Sequence, residues 1–391
     1  MVSGALRRAG LASPNIVASG PGVTIPYWTT NITSPLDHKN YYVSMVGSTP
    51  YALVPANTKV TYVPVVIRIH LGGHVIDPTA AGTCDATPPA TRFFNSPLFV
   101  PNNFVSNGVN VTAPGGSQFI SAFQRANFWK AVKGTNYGVT LVPSRATPIV
   151  VDWSPTNPND LVLMVSDNCG GHLNVPVPVV DINEFGAELQ AIAAANATPN
   201  QIPVSLALDT AIYVGLPPLS NCCVLGYHNA ISVAGGTQTY AVGAYFDTNH
   251  VFGSGFADTT IWSHELGELI DDPFVQSIPG VPGGVAGCEI TFVCNNDVTP
   301  NWGHTGQVFG CQGDTNNPPA FLANLEVGDP LTPGQVGSFT NYPVTGVGGF
   351  VYHYQDLAFH DWFYRTPSSS TGGLGSFVGN LAGGGQPTIC M

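Results

Sequence analysis

Residues 264–273 read His-Glu-Leu-Gly-Glu-Leu-Ile-Asp-Asp-Pro, placing four carboxylates beside one imidazole in a 391-residue chain of which only 9% is charged. In a helix, His264, Glu268 and Asp272 fall four residues apart on one face, and Glu265 lies about 100° round the axis. A His and a carboxylate at i and i+4 can clasp one metal ion, and the adjacent Glu is then placed to take a proton from a metal-held water. The segment predicts metal ligation by His264 and Glu268, a general base at Glu265, and Asp272 orienting a ligand by hydrogen bonding. A solvent-facing surface helix is the bland alternative. It is poor helix chemistry, because carboxylates near a helix C-terminus oppose the macrodipole, so a compensating cation is expected.

A third protein ligand must return from downstream. Glu326, in Asn-Leu-Glu-Val-Gly-Asp-Pro at 324–330, is the leading candidate, with Asp329 placed to orient a ligand or bind a structural cation. Glu289, His304, Asp314, His353 and His360 are competing suppliers. One imidazole with two Glu is a harder, more anionic set than two His with one Glu. Zn²⁺ accepts it and is the expected cofactor, while Mn²⁺, Fe²⁺ and Ca²⁺ become competitive. The added negative charge weakens the Lewis acidity, so a bound water is less acidic and hydrolysis slower.

The remaining composition narrows the setting. With 11 Lys plus Arg against 23 Asp plus Glu, the net charge of −12 excludes nucleic acid and anionic membrane as partners. No apolar run approaches the roughly 20 residues of a membrane span. The 45 Gly and 34 Pro predict many turns and long loops around apolar runs. Cys84, Cys169, Cys222, Cys223, Cys288, Cys294, Cys311 and Cys390 are even in number and include no Cys-x-x-Cys pair, which favours disulfides in an exported protein. Adjacent Cys222 and Cys223 would most easily go to different partners. Residues 1–22 lack a continuous apolar stretch, so no secretory leader is legible. Asn31, Asn110 and Asn196 head glycosylation sequons, matches that arise readily by chance in a chain this rich in Asn and Thr.

The elements that must position the motif are alternating strands and helices. Residues 59–70 read as a strand apolar on both faces, broken near its start by Pro64. A loop without helix signals follows at 72–116, then a helix at 117–133 capped by Ser117. Short strands at 138–143, 147–153 and 161–166 precede a helix at 181–195 with Asp181 as N-cap and Glu184 at capping-box spacing. Strands at 202–214 and 239–246 lead to the motif helix at about 258–271, with 239–246 expected as the sheet edge that aligns an extended peptide. A last helix is expected at 352–364, and an extended or mobile Ser/Gly-rich tail from 366. The predicted organisation is an irregular or β-rich N-terminal extension (1–59), one catalytic-type domain (60–365) and the tail (366–391). His38, His70, His74, His172, His228 and His250 lack paired spacing and read as hydrogen-bonded loop or core residues. Residues 295–297 read as an Asx-rich turn.

The stretch Ser263 to Glu268, the Asp272-Pro273 pair and the later Glu326-Val327-Gly328-Asp329 together resemble the plant EXORDIUM or phosphate-induced family and related secreted bacterial proteins. Within the wider zincin-like superfamily the usual metal motif is His-Glu-x-x-His, and Glu268 stands where its second His would be. The resemblance covers about seventy residues. It implies an extracellular protein with a zincin-like metal site; with the element order and cysteine count above, the expected fold is mixed α+β (α/β), a zincin-like domain with a twisted mixed sheet, an active-site helix and long disulfide-linked loops. It puts His264, Glu268 and Glu326 at the ligand positions and Glu265 at the general-base position. The expected function is an exported, zinc-dependent endopeptidase acting on a polypeptide, or on an extracellular-matrix or cell-wall component. The alternative is a non-catalytic extracellular structural or binding protein with a structural metal site.

Overall fold

The computed structural model describes residues 24–33, 40–82, 86–166, 175–247, 256–275, 290–291, 307–308, 325–331, 341–364 and 369–381. Cys84, Cys169, Cys288, Cys294, Cys311 and Cys390, the suppliers Glu289, His304 and Asp314, and the turn at 295–297 lie outside them.

The architecture is mixed α+β around a seven-stranded mixed sheet. Its centre is the long strand Asn57–Leu71. On one side this strand pairs in parallel with Gln201–Leu208, which pairs in parallel with Gly236–Tyr245, and the antiparallel strand Gly226–Val233 forms the edge. Gly138–Pro143 and Ile149–Trp153 also lie parallel to the central strand. Pro64 does not break that strand as expected. The first of these partners ends opposite Tyr62 and the second begins opposite Val65, so the missing N–H falls in a gap of the ladder where no bond is lost.

Side-chain alternation sends the two faces of the central strand to different cores. Val63, Val65, Ile67 and Ile69 join Phe185, Leu189 and Ile192 of helix Ile182–Asn196. Val60, Tyr62 and Val66 join Trp262, Leu266, Leu269 and Ile270 of the motif helix. The sheet is therefore covered on both faces, as its near-continuous apolar strands require.

Several local expectations change. The helix expected at 117–133 is two, Phe119–Asn127 and Trp129–Val132, divided at Phe128. Its N-cap is Gln118; the Ser117 hydroxyl instead accepts from the Ala113 N–H. Asp181 does cap the next helix, but Glu184 accepts from the Thr156 and Asn157 amides instead of reaching back to the cap. The helix Pro89–Phe94 carried no signal beyond a Pro at its first turn. The expected 202–214 strand is divided, Ala211–Tyr213 joining a second, four-stranded sheet.

Residues 352–355 are strand, not helix. Val351–Gln355 pairs antiparallel with Asn341–Thr345, and only His360–Tyr364 is helical. Tyr352 and Tyr354 alternate into the core, and this period of two outweighs the helical spacing read for the longer stretch. Cys222 and Cys223, expected to take separate partners, are bonded to each other.

The flanking segments pack onto the same core. The N-terminal hairpin Tyr27–Thr33 with Asn40–Val46 buries Trp28, Val43 and Met45 there. Residues 369–381, expected to be extended or mobile, bury Phe377 against Phe119. The buried Asp356 holds them by accepting from Ser376 Oγ, Asn380 Nδ2 and the Val378 amide. No helix among the described residues is long and apolar enough to cross a membrane.

Candidate metal centre

The motif helix spans Thr260–Asp271. Trp262, Leu266, Leu269 and Ile270 give it an apolar stripe buried at 0% exposure. It lies unusually close to its neighbours. A Cβ on Gly243 would meet Trp262 Cε2 at 2.9 Å, and one on Gly267 would meet Leu357 Cδ1 at 2.6 Å. Gly267 costs roughly 1 kcal/mol of helix propensity against Ala, and the close approach of Leu357 accounts for its presence. Glu265, Glu268, Asp271 and Asp272 are all buried, which rules out the surface-helix alternative.

Three of these carboxylates face two imidazoles. His264 Nε2 lies 3.1 Å from Glu268 Oε2 and 3.6 Å from Asp329 Oδ1. His228, on the edge strand, places Nδ1 3.7 Å from Glu265 Oε2 and 3.9 Å from Glu268 Oε2, with Nε2 4.0 Å from Asp272 Oδ2. Asp271 turns elsewhere, to Gln124 Nε2 and to His360 Nε2 at 3.1 Å. His360 is thereby occupied away from the centre, as is His353, which bonds Asp258 at 2.6 Å.

The downstream segment arrives as expected at 325–331. Leu325 and Val327 are fully buried in the core, which turns Glu326 toward the helix. The Gly328 amide donates to Glu268 Oε1 at 3.1 Å. A Cβ on Gly328 would collide with the His264 ring, so only glycine lets this backbone lie over the imidazole. The placement differs from the expected triad. Asp329 completes a group with His264 and Glu268, whereas Glu326 groups with His228 and Asp272, and a hydrogen bond joins Glu326 to Glu268.

Two participants were not read from the sequence. His228 was taken as a core or loop residue. Its only local signal is strand alternation, which points His228 and Ala230 inward, and the inward direction acquires meaning only once the edge strand is known to run beside the motif helix. Gln355 donates through Nε2 to the Gly328 carbonyl at 2.5 Å and presents Oε1 to His264 Nδ1 at 3.1 Å. A carbonyl oxygen only accepts, so His264 Nδ1 carries a proton, and Nε2, facing Glu268 and Asp329, either donates a second proton to them or offers a lone pair to a metal ion. That set is held together only by a proton or a metal ion. The Gln355 contact is the kind of supporting hydrogen bond that fixes a ligating imidazole.

The electrostatics point the same way. Burial, and then neighbouring carboxylates, push Glu268 and Glu326 well above the usual carboxylate range. Asp272 rises to about 7, burial outweighing the pull of His228. Burial opposes the charge of His228, but Glu265, Glu326 and Asp272 overcome it and lift the imidazole to about 9. Carboxyls this reluctant to ionise either share protons or compensate a cation. These buried His, Glu and Asp groups can hold a metal ion.

Comparison with protein-family models, curated proteins and solved structures finds no match to this chain. Its functional reading therefore rests on geometry.

Proposed function

We propose that this protein is an exported metal-dependent hydrolase, in the first instance a zinc endopeptidase of zincin type. The observation carrying the reading is the His264 imidazole, held by Gln355 at Nδ1 with Nε2 turned toward Glu268 and Asp329. This corner is the accessible one, with the His264 and Asp329 side chains 13% and 27% exposed. The donor set of imidazole and carboxylates suits Zn²⁺ or Mn²⁺, with Ca²⁺ disfavoured by the nitrogen ligand. A divalent ion bound there would polarise a scissile carbonyl and acidify a water.

Glu265 follows His264 on the helix, with Oε2 3.7 Å from His228 Nδ1, and in this reading is the base that takes a proton from the water and hands it to a leaving amine. The edge available to an extended peptide is Gly226–Val233. The strand 239–246, first expected in that role, is hydrogen-bonded on both sides and so cannot serve. Export is supported by the scarcity of charge and by eight cysteines without a Cys-x-x-Cys pair.

A second reading, a non-catalytic extracellular structural or binding protein with a structural metal, draws on the burial of Glu265, whose side chain is only 7% exposed. Glu265→Gln separates the two. Hydrolysis of an unstructured polypeptide should fall by about 10²- to 10⁴-fold with metal content unchanged. A parent protein that binds metal tightly, melts earlier on chelation and cleaves nothing would establish the structural reading instead.

A further inference from the structure

Two imidazoles flank Glu268, but they do not address one point. His264, Glu268 and Asp329 offer ligand atoms within 4.8 Å of one another, and so do His228 with Asp272 and Glu326, and His228 with Glu265 and Glu268. No such group among the described residues contains both imidazoles. Donors around one zinc ion, at bonds of about 2.0–2.2 Å, would all lie within roughly 4 Å of one another, so one ion does not serve both rings. Glu268 stands between them, Oε2 being 3.1 Å from His264 Nε2 and 3.9 Å from His228 Nδ1.

His228 supplies an independent sign of a missing partner. Its side chain is 4% exposed, and its Nε2 has no hydrogen-bond partner among the described residues. The nearest carboxylate oxygen, Asp272 Oδ2 at 4.0 Å, is too far for a hydrogen bond and leaves a gap suited to an ion. Charge gives the same count. The grouped residues include five carboxylates, Glu265, Glu268, Asp272, Glu326 and Asp329. With both imidazoles neutral and all five carboxylates ionised, as ligation requires, one divalent ion would leave three negative charges uncompensated and two would leave one.

We infer that the centre takes two divalent cations side by side: an outer one on His264, Glu268 and Asp329, and an inner one on His228, Asp272 and Glu326, the two linked through the Glu326–Glu268 contact. This rests on the metal reading above and deepens it. The inner ion is shut away by buried His228 and Asp272, so its part is to hold the carboxylates together and fix Glu268, while the outer ion faces solvent. Imidazole with carboxylates suits Zn²⁺ or Mn²⁺ at both positions.

The test uses the full chain, stripped with chelator, reloaded with Mn²⁺, desalted and assayed by elemental analysis and electron paramagnetic resonance. Two ions per chain with a spin-coupled signal are expected. His228→Ala and, as a milder change, Asp272→Asn should each keep the parent near-ultraviolet circular dichroism but bind one ion with an uncoupled spectrum. One ion per chain in the parent, unchanged by either substitution, overturns the inner position and leaves the hydrolase reading standing. A parent that binds no ion overturns both.

Discussion

The cluster around Arg68 and the cluster around Glu268 are built from the same kinds of side chain on one sheet, yet their acids titrate in opposite directions. Arg68 bonds Asp77 at 2.9 Å and Asp152 at 3.0 Å, and His70 bonds Asp152 at 2.8 Å. Asp152 is held below its usual value by His70 and Arg68. Burial works to raise Asp77, but the Thr79 hydroxyl and amide together with Arg68 bring it down. At the motif helix the carboxyls of Glu268, Glu326 and Asp272 are all raised. The difference is where the cation comes from. One cluster carries its own guanidinium; the other keeps its acids buried and opposes them with imidazoles, an arrangement stable only with protons or ions drawn from solution.

The largest expected contrast is on chelation. Stripping metal should lower the melting temperature by on the order of 5–10 °C, as expected when free metal stands about a thousandfold above its dissociation constant. Arg68→Ala should leave both metal content and that shift intact. His264→Ala should abolish the outer ion and the part of the shift that this ion supplies, read by calorimetry with and without chelator. Unchanged melting in the parent on chelation would erase the distinction between the clusters.

Next come the groups that aim His264. Gln355→Leu removes both the acceptor for Nδ1 and the donor to Gly328, and should weaken metal affinity by about 10- to 100-fold, measured by competition with a chromophoric chelator. Gly328→Ala drives a methyl group into the imidazole and should cost about 1–3 kcal/mol from overpacking as well as affinity. Parent-like affinity in Gln355→Leu would mean that the ring is aimed by other contacts.

A smaller effect distinguishes the clusters by pH. In the stripped protein, Asp272 keeps its proton when folded up to about pH 7 but loses it in the unfolded chain near its ordinary value of 3.8. Folded protein thus binds more protons across that window, and its stability falls as pH rises. Asp77 has the opposite sign. Its contribution is present above 3.8 and is lost as pH falls through its lowered folded value. Denaturant midpoints of stripped protein should therefore decline from about pH 4 to 7, and Asp272→Asn should flatten the decline. A midpoint that rises over this range would contradict the assignment.

Legibility followed locality. The motif helix, Asp181 as a cap and the strands at 138–143 and 161–165 depend on spacing and turn residues within one segment, and these signals sit in the sequence. The meeting of 264–272 with 325–331 was legible because the charged residues are so few. What was hidden depends on neighbours far along the chain. Pro64 is harmless only because two flanking strands meet opposite it, and residues 351–355 are a strand because residues 341–345 lie beside them. His228 and Gln355 enter the centre from strands whose register no local pattern reveals.

The most direct test is anomalous diffraction at the zinc edge from crystals of the full chain grown with Zn²⁺. The account predicts a peak at bonding distance, about 2.0–2.2 Å, from His264 Nε2 and a Glu268 oxygen, with the Gln355 contact to Nδ1 preserved. Density in which those two side chains stay in direct hydrogen-bonding contact and no peak lies near either would contradict it.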